Sequence, residues 1–327
     1  MNNLLRTCYF ATFCAIATTY PRVQAEELFG DWSLRLESGT PAWMSITGTM
    51  GKPVVRFRLY VGNVGPHEGA EFSDGKLTFS LRKNKKSSTT KTVAVELVDG
   101  NLKGSISTRL KSGKVMQEAF TGDRIPPMPD KAPDLESIRF GHPIRLFNGN
   151  NLEGWRPHES DKLMGWSAQD GILFNTTPKT DFSATGAYAN LRTEAEFSDF
   201  WLHLEFLVEK NRNSGVYLRG MYEAQVVDRD SRMQGIQGVG AIFGSIAPKK
   251  NAGRVGGKWQ SYDLTLVDRH ITVVLNGEKV IDNQPINGPT AGAIYTNPAK
   301  PGPIYLQGDH TSVKYRNIYL APVIRDE

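Results

Sequence analysis

Asn213-Ser214-Gly215-Val216-Tyr217-Leu218-Arg219-Gly220-Met221-Tyr222-Glu223-Ala224-Gln225-Val226-Val227-Asp228 reads as two strands joined at Gly220. Its alternation puts Tyr217 and Arg219 on one face and Glu223 with Gln225 on one face of the next strand. An ordinary solvent face explains one or two such polar residues. An arginine, a carboxylate and an amide within a few positions, with tyrosines beside them, read instead as a site for a polyhydroxylated ligand.

Working outward, the same period-two pattern recurs in short runs. Phe200-Trp201-Leu202-His203-Leu204-Glu205-Phe206-Leu207-Val208 is one. Trp259-Gln260-Ser261-Tyr262-Asp263-Leu264-Thr265-Leu266-Val267 is another, and His270-Ile271-Thr272-Val273-Val274-Leu275 leads into the type I′ hairpin signal Asn276-Gly277. The number and shortness of these segments make a two-sheet jelly roll the expected architecture of the C-terminal part. Upstream, Asp31-Trp32-Ser33-Leu34, Val54-Val55-Arg56-Phe57, Leu77-Thr78-Phe79 and Val93-Ala94-Val95 alternate likewise between Gly-rich turns, which predicts a small antiparallel barrel or sandwich. The fold class is all-β. Ile125-Pro126-Pro127-Met128-Pro129-Asp130-Lys131-Ala132-Pro133 favours a stiff extended linker, so the domains are expected at 26–124 and 138–327, with 125–137 between them.

Arg6 followed by the mostly apolar stretch from Cys8, then Val23-Gln24-Ala25, has the features of a cleavable export signal over residues 1–25. The apolar run is far short of the roughly 20 residues a membrane span needs, so an exported chain without a stable anchor, periplasmic or secreted, is expected. Both cysteines, Cys8 and Cys14, lie in that segment. The chain without it then has no thiol chemistry, disulfide or cysteine-ligated zinc. The segment also carries two arginines and no acids, so its loss takes the net charge from +5 to +3, which selects no particular partner. The basic cluster Arg82-Lys83-Asn84-Lys85-Lys86 reads as a solvated hairpin tip rather than a nucleic-acid site.

A set of motifs in order resembles one family. Leu146-Phe147-Asn148-Gly149-Asn150-Asn151-Leu152-Glu153-Gly154-Trp155 opens it, the stretch quoted first forms its middle, and Gly240-Ala241-Ile242-Phe243-Gly244 follows. Ile304-Tyr305-Leu306-Gln307-Gly308-Asp309-His310 and Tyr315-Arg316-Asn317-Ile318 close it. From about Ile138 to the C-terminus the chain resembles the 3-keto-disaccharide hydrolase family, also described as 3-keto-glucoside 1,2-lyases and glucal hydratases. The resemblance implies a concanavalin-A-like jelly roll in an exported protein acting on oxidised sugars; residues 26–124 lie outside it.

In such a substrate the C3 ketone acidifies the C2 hydrogen, so a base can remove it and the C1 substituent can leave by β-elimination. The route needs a base near C2, a cation or donor at the C3 oxygen and a donor to the leaving oxygen. Glu223, Glu205 and His310 are the candidate bases, and Arg219 or a bound divalent metal the candidate enolate stabiliser. Asn213, Tyr217, Gln225, Asp228 and Gln307 are candidate substrate ligands. His203 shares a strand face with Glu205, so His203, Glu205, Glu223 and His310 are the candidate metal ligands.

Each has a plainer reading: an outer sheet face for His203 and Glu205, an ion pair with Glu223 for Arg219, a turn for Asp228, a backbone hydrogen bond for His310. Arg316 and Asn317 read better as partners of an acid. Trp32, Trp43 and Trp259 read better as packing than as sugar-stacking aromatics. Glu205 and Glu223 could alternatively form a glycosidase pair on an unoxidised sugar. The same Asn, Gln and Arg residues would also serve a non-catalytic lectin-like protein, and a purely structural protein is the third reading.

Overall fold

The computed structural model describes residues 26–59, 65–67, 69–81, 89–178 and 184–325. Residues 1–25, expected to be an export signal, and the basic cluster at 82–86 lie outside the described residues. Among the described residues no helix is long and apolar enough to cross a membrane.

The first part is built from β1 (Gly30–Leu36), β2 (Pro41–Thr49), β3 (Lys52–Arg58), β4 (Glu71–Ser73), β5 (Lys76–Ser80), β6 (Thr90–Val98), β7 (Asn101–Arg109) and β8 (Val115–Ile125). They form one antiparallel sheet in the order β3-β2-β1-β8-β7-β6-β5-β4. It curls until β3 and β4, its two ends, lie near each other. Alternation decides what goes inside: Leu34, Met44, Val55, Phe57, Leu77, Phe79, Val93 and Phe120 form a core of their own. Trp32 is buried, with its indole N–H on the Leu28 carbonyl at 2.9 Å.

The second part contains β9 (Ile144–Arg145), β10 (Trp155–Pro157), β11 (Trp166–Gln169), β12 (Ile172–Asn175), β13 (Leu191–Thr193), β14 (Phe200–Leu207) and β15 (Asn213–Leu218). It continues with β16 (Tyr222–Val227), β17 (Gln260–Val267), β18 (His270–Leu275), β19 (Glu278–Pro285), β20 (Tyr305–Leu306) and β21 (Val313–Pro322). Two antiparallel sheets result, β10-β13-β20-β15-β16 and β11-β12-β21-β14-β17-β18-β19, with β9 added beside β21. This is the two-sheet jelly roll.

The larger sheet shows the expected half-buried pattern. On β14, Phe200, Leu202, Leu204 and Phe206 are fully buried while Trp201, His203, Glu205 and Leu207 keep partial exposure. Each such buried side chain contributes on the order of 2 kcal/mol. β15 and β16 differ, being buried on both faces at every residue. One face joins the core through Val216, Leu218, Ala224 and Val226. The other carries Tyr217, Glu223 and Gln225 under covering loops, and Tyr217 stands directly opposite Glu223 in the register. Asn276 and Gly277, both at positive φ, make the tight β18–β19 turn that the dipeptide announces.

Candidate active site

A pocket of about 280 Å³ opens on that second face. Asn213, Tyr217, Glu223 and Gln225 line it from β15 and β16; Tyr305, Gln307, Asp309 and His310 come from β20 and the loop after it; Met233, Phe243, Ala291 and Gly292 close the other side. Six of the sequence candidates therefore share one cavity. A larger cleft of about 880 Å³ runs between the first domain's β1 and β8 and the segment 294–301, and none of the candidates lines it.

Glu223 is 3 % exposed. Its carboxylate occupies the space over Gly215, where a Cβ would come within 2.3 Å of Oε1. The glycine leaves the room that this placement of the carboxylate occupies. Burial drives the Glu223 carboxyl up to about 8, against a hydrogen bond from Tyr217 and the positive charge of Arg58, both of which pull it down. Tyr217 has one hydroxyl proton and two neighbours to serve, the Ala291 carbonyl at 2.8 Å and Glu223. A phenol so placed can accept from the neutral acid and donate to the carboxylate. It packs edge-on to Tyr305 at 4.9 Å, which fixes its ring.

Gln307 donates from Nε2 towards the Tyr217 hydroxyl at 3.4 Å, and its Oε1 is buried with no hydrogen-bond partner among the described residues. A buried, unsatisfied acceptor lining a pocket suits a ligand hydroxyl. The loop bearing Gln307 and His310 is itself clamped. Asn190 Oδ1 accepts the N–H groups of Gly308 and Asp309 at 2.8 and 3.1 Å, and Asn175 and Thr177 donate to the Gly308 carbonyl. Asp309 accepts from the N–H groups of Gly186 and Tyr188 and from the Thr185 hydroxyl, which ties down the neighbouring wall. Asn190, Tyr305 and Asp309 were not singled out from the sequence. Tyr305 and Asp309 stand inside the quoted motif 304–310, so that signal was present; Asn190 had none.

Four candidates lie elsewhere. Glu205 is on the opposite sheet, whose β14 pairs with β17 and β21 and never with β16. Burial pushes its carboxyl up, but hydrogen bonds from Asn317 at 2.7 Å and Arg316 at 2.6 and 2.8 Å outweigh this and hold it below the ordinary value. His203 bonds Asp263 at 2.8 Å, a contact that raises its pKa. Neither belongs with Glu223, so the acid pair Glu205/Glu223 and the ligand set containing His203 and Glu205 are both corrected. Arg316 also covers the half-exposed ring of Trp259 at 4.0 Å, which places that indole outside the core.

Arg219 sits at φ 55° in the β15–β16 turn, where strand alternation ends. Its guanidinium bonds the carbonyls of Pro298 (2.6 Å) and Lys300 and lies 3.8 Å from Asp199, away from Glu223. Asp228 caps a turn, accepting from the N–H groups of Asn211 and Asp230 at 2.9 and 3.0 Å. Accordingly, Glu205→Gln is expected to leave turnover within about twofold of wild type, and steady-state kinetics at one pH checks it.

No group of three or more His, Cys, Asp or Glu side chains among the described residues could together hold a metal ion. In the pocket the Asp309 carboxylate is already committed to three donors, which leaves Glu223 and His310 as the remaining acid and imidazole. Among the described residues the donor set does not fit a resident cation.

A two-sheet jelly roll with a compact pocket of amides, phenols and two buried carboxylates, Glu223 and Asp309, is the frame of a carbohydrate-active protein. The match to a family model then names the kind: over residues 142–321 the chain fits the 3-keto-alpha-glucoside-1,2-lyase-like domain, and it belongs to that family of glycoside-acting enzymes. Curated proteins give no match. Among solved structures the chain is similar to two putative glycosyl hydrolases from Parabacteroides distasonis. One is 18 % identical over 56 % of this chain and 94 % of that one, with a TM-score of 0.46. The other is 24 % identical over 55 % and 98 %, with a TM-score of 0.41. A non-specific endo-beta-1,3(4)-glucanase of family GH16 is 11 % identical over 59 % and 93 %, with a TM-score of 0.36.

Proposed function

We propose that the protein is an exported enzyme that cleaves 3-keto-glycosides by elimination, with Glu223 as the base. The observation that carries this reading is the fully buried Glu223 carboxyl, near neutral in its titration, facing the pocket beside Tyr217. A base that must take a weakly acidic C–H proton works best with a pKa close to the working pH. Ordinary glycoside hydrolysis would instead ask for two carboxylates across the bond. Glu223 faces Asp309 here, whose oxygens are occupied.

The Glu223 carboxylate removes the C2 hydrogen, and the electron pair moves into the C2–C3 bond, leaving the C3 oxygen as an enolate. Hydrogen-bond donors on the pocket wall, His310 and the amides of Asn213 and Gln307, are placed to hold that oxygen and the ring hydroxyls. The pair then returns to form C1=C2, the C1–O bond breaks, and the leaving oxygen takes a proton. Water adding hydroxyl at C1 and hydrogen at C2 yields 3-keto-glucose, so the sum is hydrolysis. The pocket, near the lower end of the ~300–1,000 Å³ usual for small-molecule sites, suits one sugar ring with the aglycone outside.

Because only ionised Glu223 accepts a proton, kcat/KM for a 3-keto-glucoside is expected to rise about tenfold per pH unit below a midpoint near 8 and then level. A rate profile from pH 5 to 9 measures it, and a flat profile removes Glu223 as the base. Saturable binding with no glucal or 3-keto-glucose formed at any pH would favour a lectin-like role.

A further inference from the structure

The first domain lies outside the family match, yet it packs against a segment whose Ala291 and Gly292 line the pocket. On β3, Val55 and Phe57 point into the first domain's core, so alternation sends Arg58 to the opposite face. There Arg58 stands beside Trp43, its partner in the β2–β3 register. Both meet the segment 288–292 of the jelly roll. The Trp43 ring packs on Gly288, where a Cβ would come within 2.9 Å, and Arg58 Nη1 donates to the Pro289 carbonyl.

The next residues of that segment hold Glu223 and Tyr217. Thr290 Oγ1 accepts the Glu223 N–H at 2.9 Å and donates to the Met221 carbonyl at 3.0 Å. Ala291 accepts the Tyr217 hydroxyl, and Gly292 closes against the same oxygen. Arg58 Nε is buried without a hydrogen-bond partner among the described residues, so the guanidinium is held there against an unsatisfied donor.

We infer that the first domain completes the active site, with Arg58 as a positioning residue that anchors segment 288–292 and supplies the cation facing Glu223. This rests on the reading of Glu223 as the acting base. The charged and titratable groups around that carboxyl are Tyr217 and Arg58, Tyr262 and Tyr315 from the opposite sheet, and Asp309 with His310 across the pocket. Arg58 is the cation among those that act on it, and it offsets part of the burial that drives Glu223 up. The effect is mutual: burial lowers Arg58 to about 10, while Tyr217 and Glu223 favour its charged form.

The test is a carboxyl ¹³C titration of the full chain, with the Glu223 resonance assigned from its loss in Glu223→Gln. Arg58→Met is expected to raise the Glu223 midpoint by about one pH unit, a tenfold change in proton affinity, and Arg58→Lys to restore most of it. A folded Arg58→Met with the wild-type midpoint overturns the inference. If Arg58→Met does not fold, Arg58→Lys and Arg58→Gln replace it, and equal midpoints in those two overturn it. The titration needs no substrate. A moved midpoint without turnover of 3-keto-glucosides therefore rejects the proposed reaction alone, and turnover with an unmoved midpoint rejects the role of Arg58 alone.

Discussion

Glu223→Gln is expected to lower turnover of a 3-keto-glucoside by about 10³-fold, within the range general-base catalysis contributes, while the protein stays folded. The amide keeps the shape of the side chain over Gly215 and loses only the capacity to take a proton. Stability should move the other way. An acid whose folded pKa is raised, here from 4.5 to about 8, binds its proton more tightly when folded. Below 4.5 both states are protonated and the group contributes nothing. Between 4.5 and 8 the unfolded state is ionised and the folded state is not, so stability falls as pH rises, by up to about 1.4 kcal/mol per pH unit. Above 8 the loss is constant, about 5 kcal/mol. Glu223→Gln removes this slope, so its melting temperature should exceed that of wild type at pH 9 and match it near pH 4. Thermal melts across that range check the sign independently of any substrate.

Gly215→Ala is expected to cost about 10² in kcat with little change in melting temperature. The added Cβ meets Glu223 Oε1 at 2.3 Å and its Cγ at 2.8 Å, the movable end of a side chain rather than backbone. The carboxylate can swing aside cheaply, but it then no longer points where a C2 hydrogen would sit. Because the φ of Gly215 is not in the left-handed region, a loss here reports space and not backbone strain. Wild-type kcat in a folded Gly215→Ala would show that the carboxylate over Gly215 is not the catalytic group.

Strand alternation made much of this legible. The run from Asn213 carries enough period-two pattern to put Glu223 with Gln225 on one face, while the pairing of Tyr217 with Glu223 comes from the register that the structure shows. The same rule misled for Arg219, because it continues a strand through a residue that is already turning at positive φ. For His203 and Glu205 it gave the correct shared face of β14 but no information on which sheet the strand enters, and Arg316 and Asn317 claim the carboxylate there. Arg58 was invisible for another reason. Its contact with Pro289 joins residues 231 positions apart across two separate cores, and no local pattern encodes how two domains dock. Asp309 stood in a quoted motif, but its role in fastening residues 185–188 depends on the loop's folded shape.

The central claim is that the bond breaks by removal of the C2 hydrogen. Turnover of a 3-keto-glucoside in deuterium oxide, quenched early, reads this directly. Deuterium is expected at C2 of the released 3-keto-glucose while C4, the other carbon flanking the ketone, still carries protium, and Glu223→Gln is expected to form that product about 10³-fold more slowly. Release of 3-keto-glucose that retains protium at C2 would contradict it.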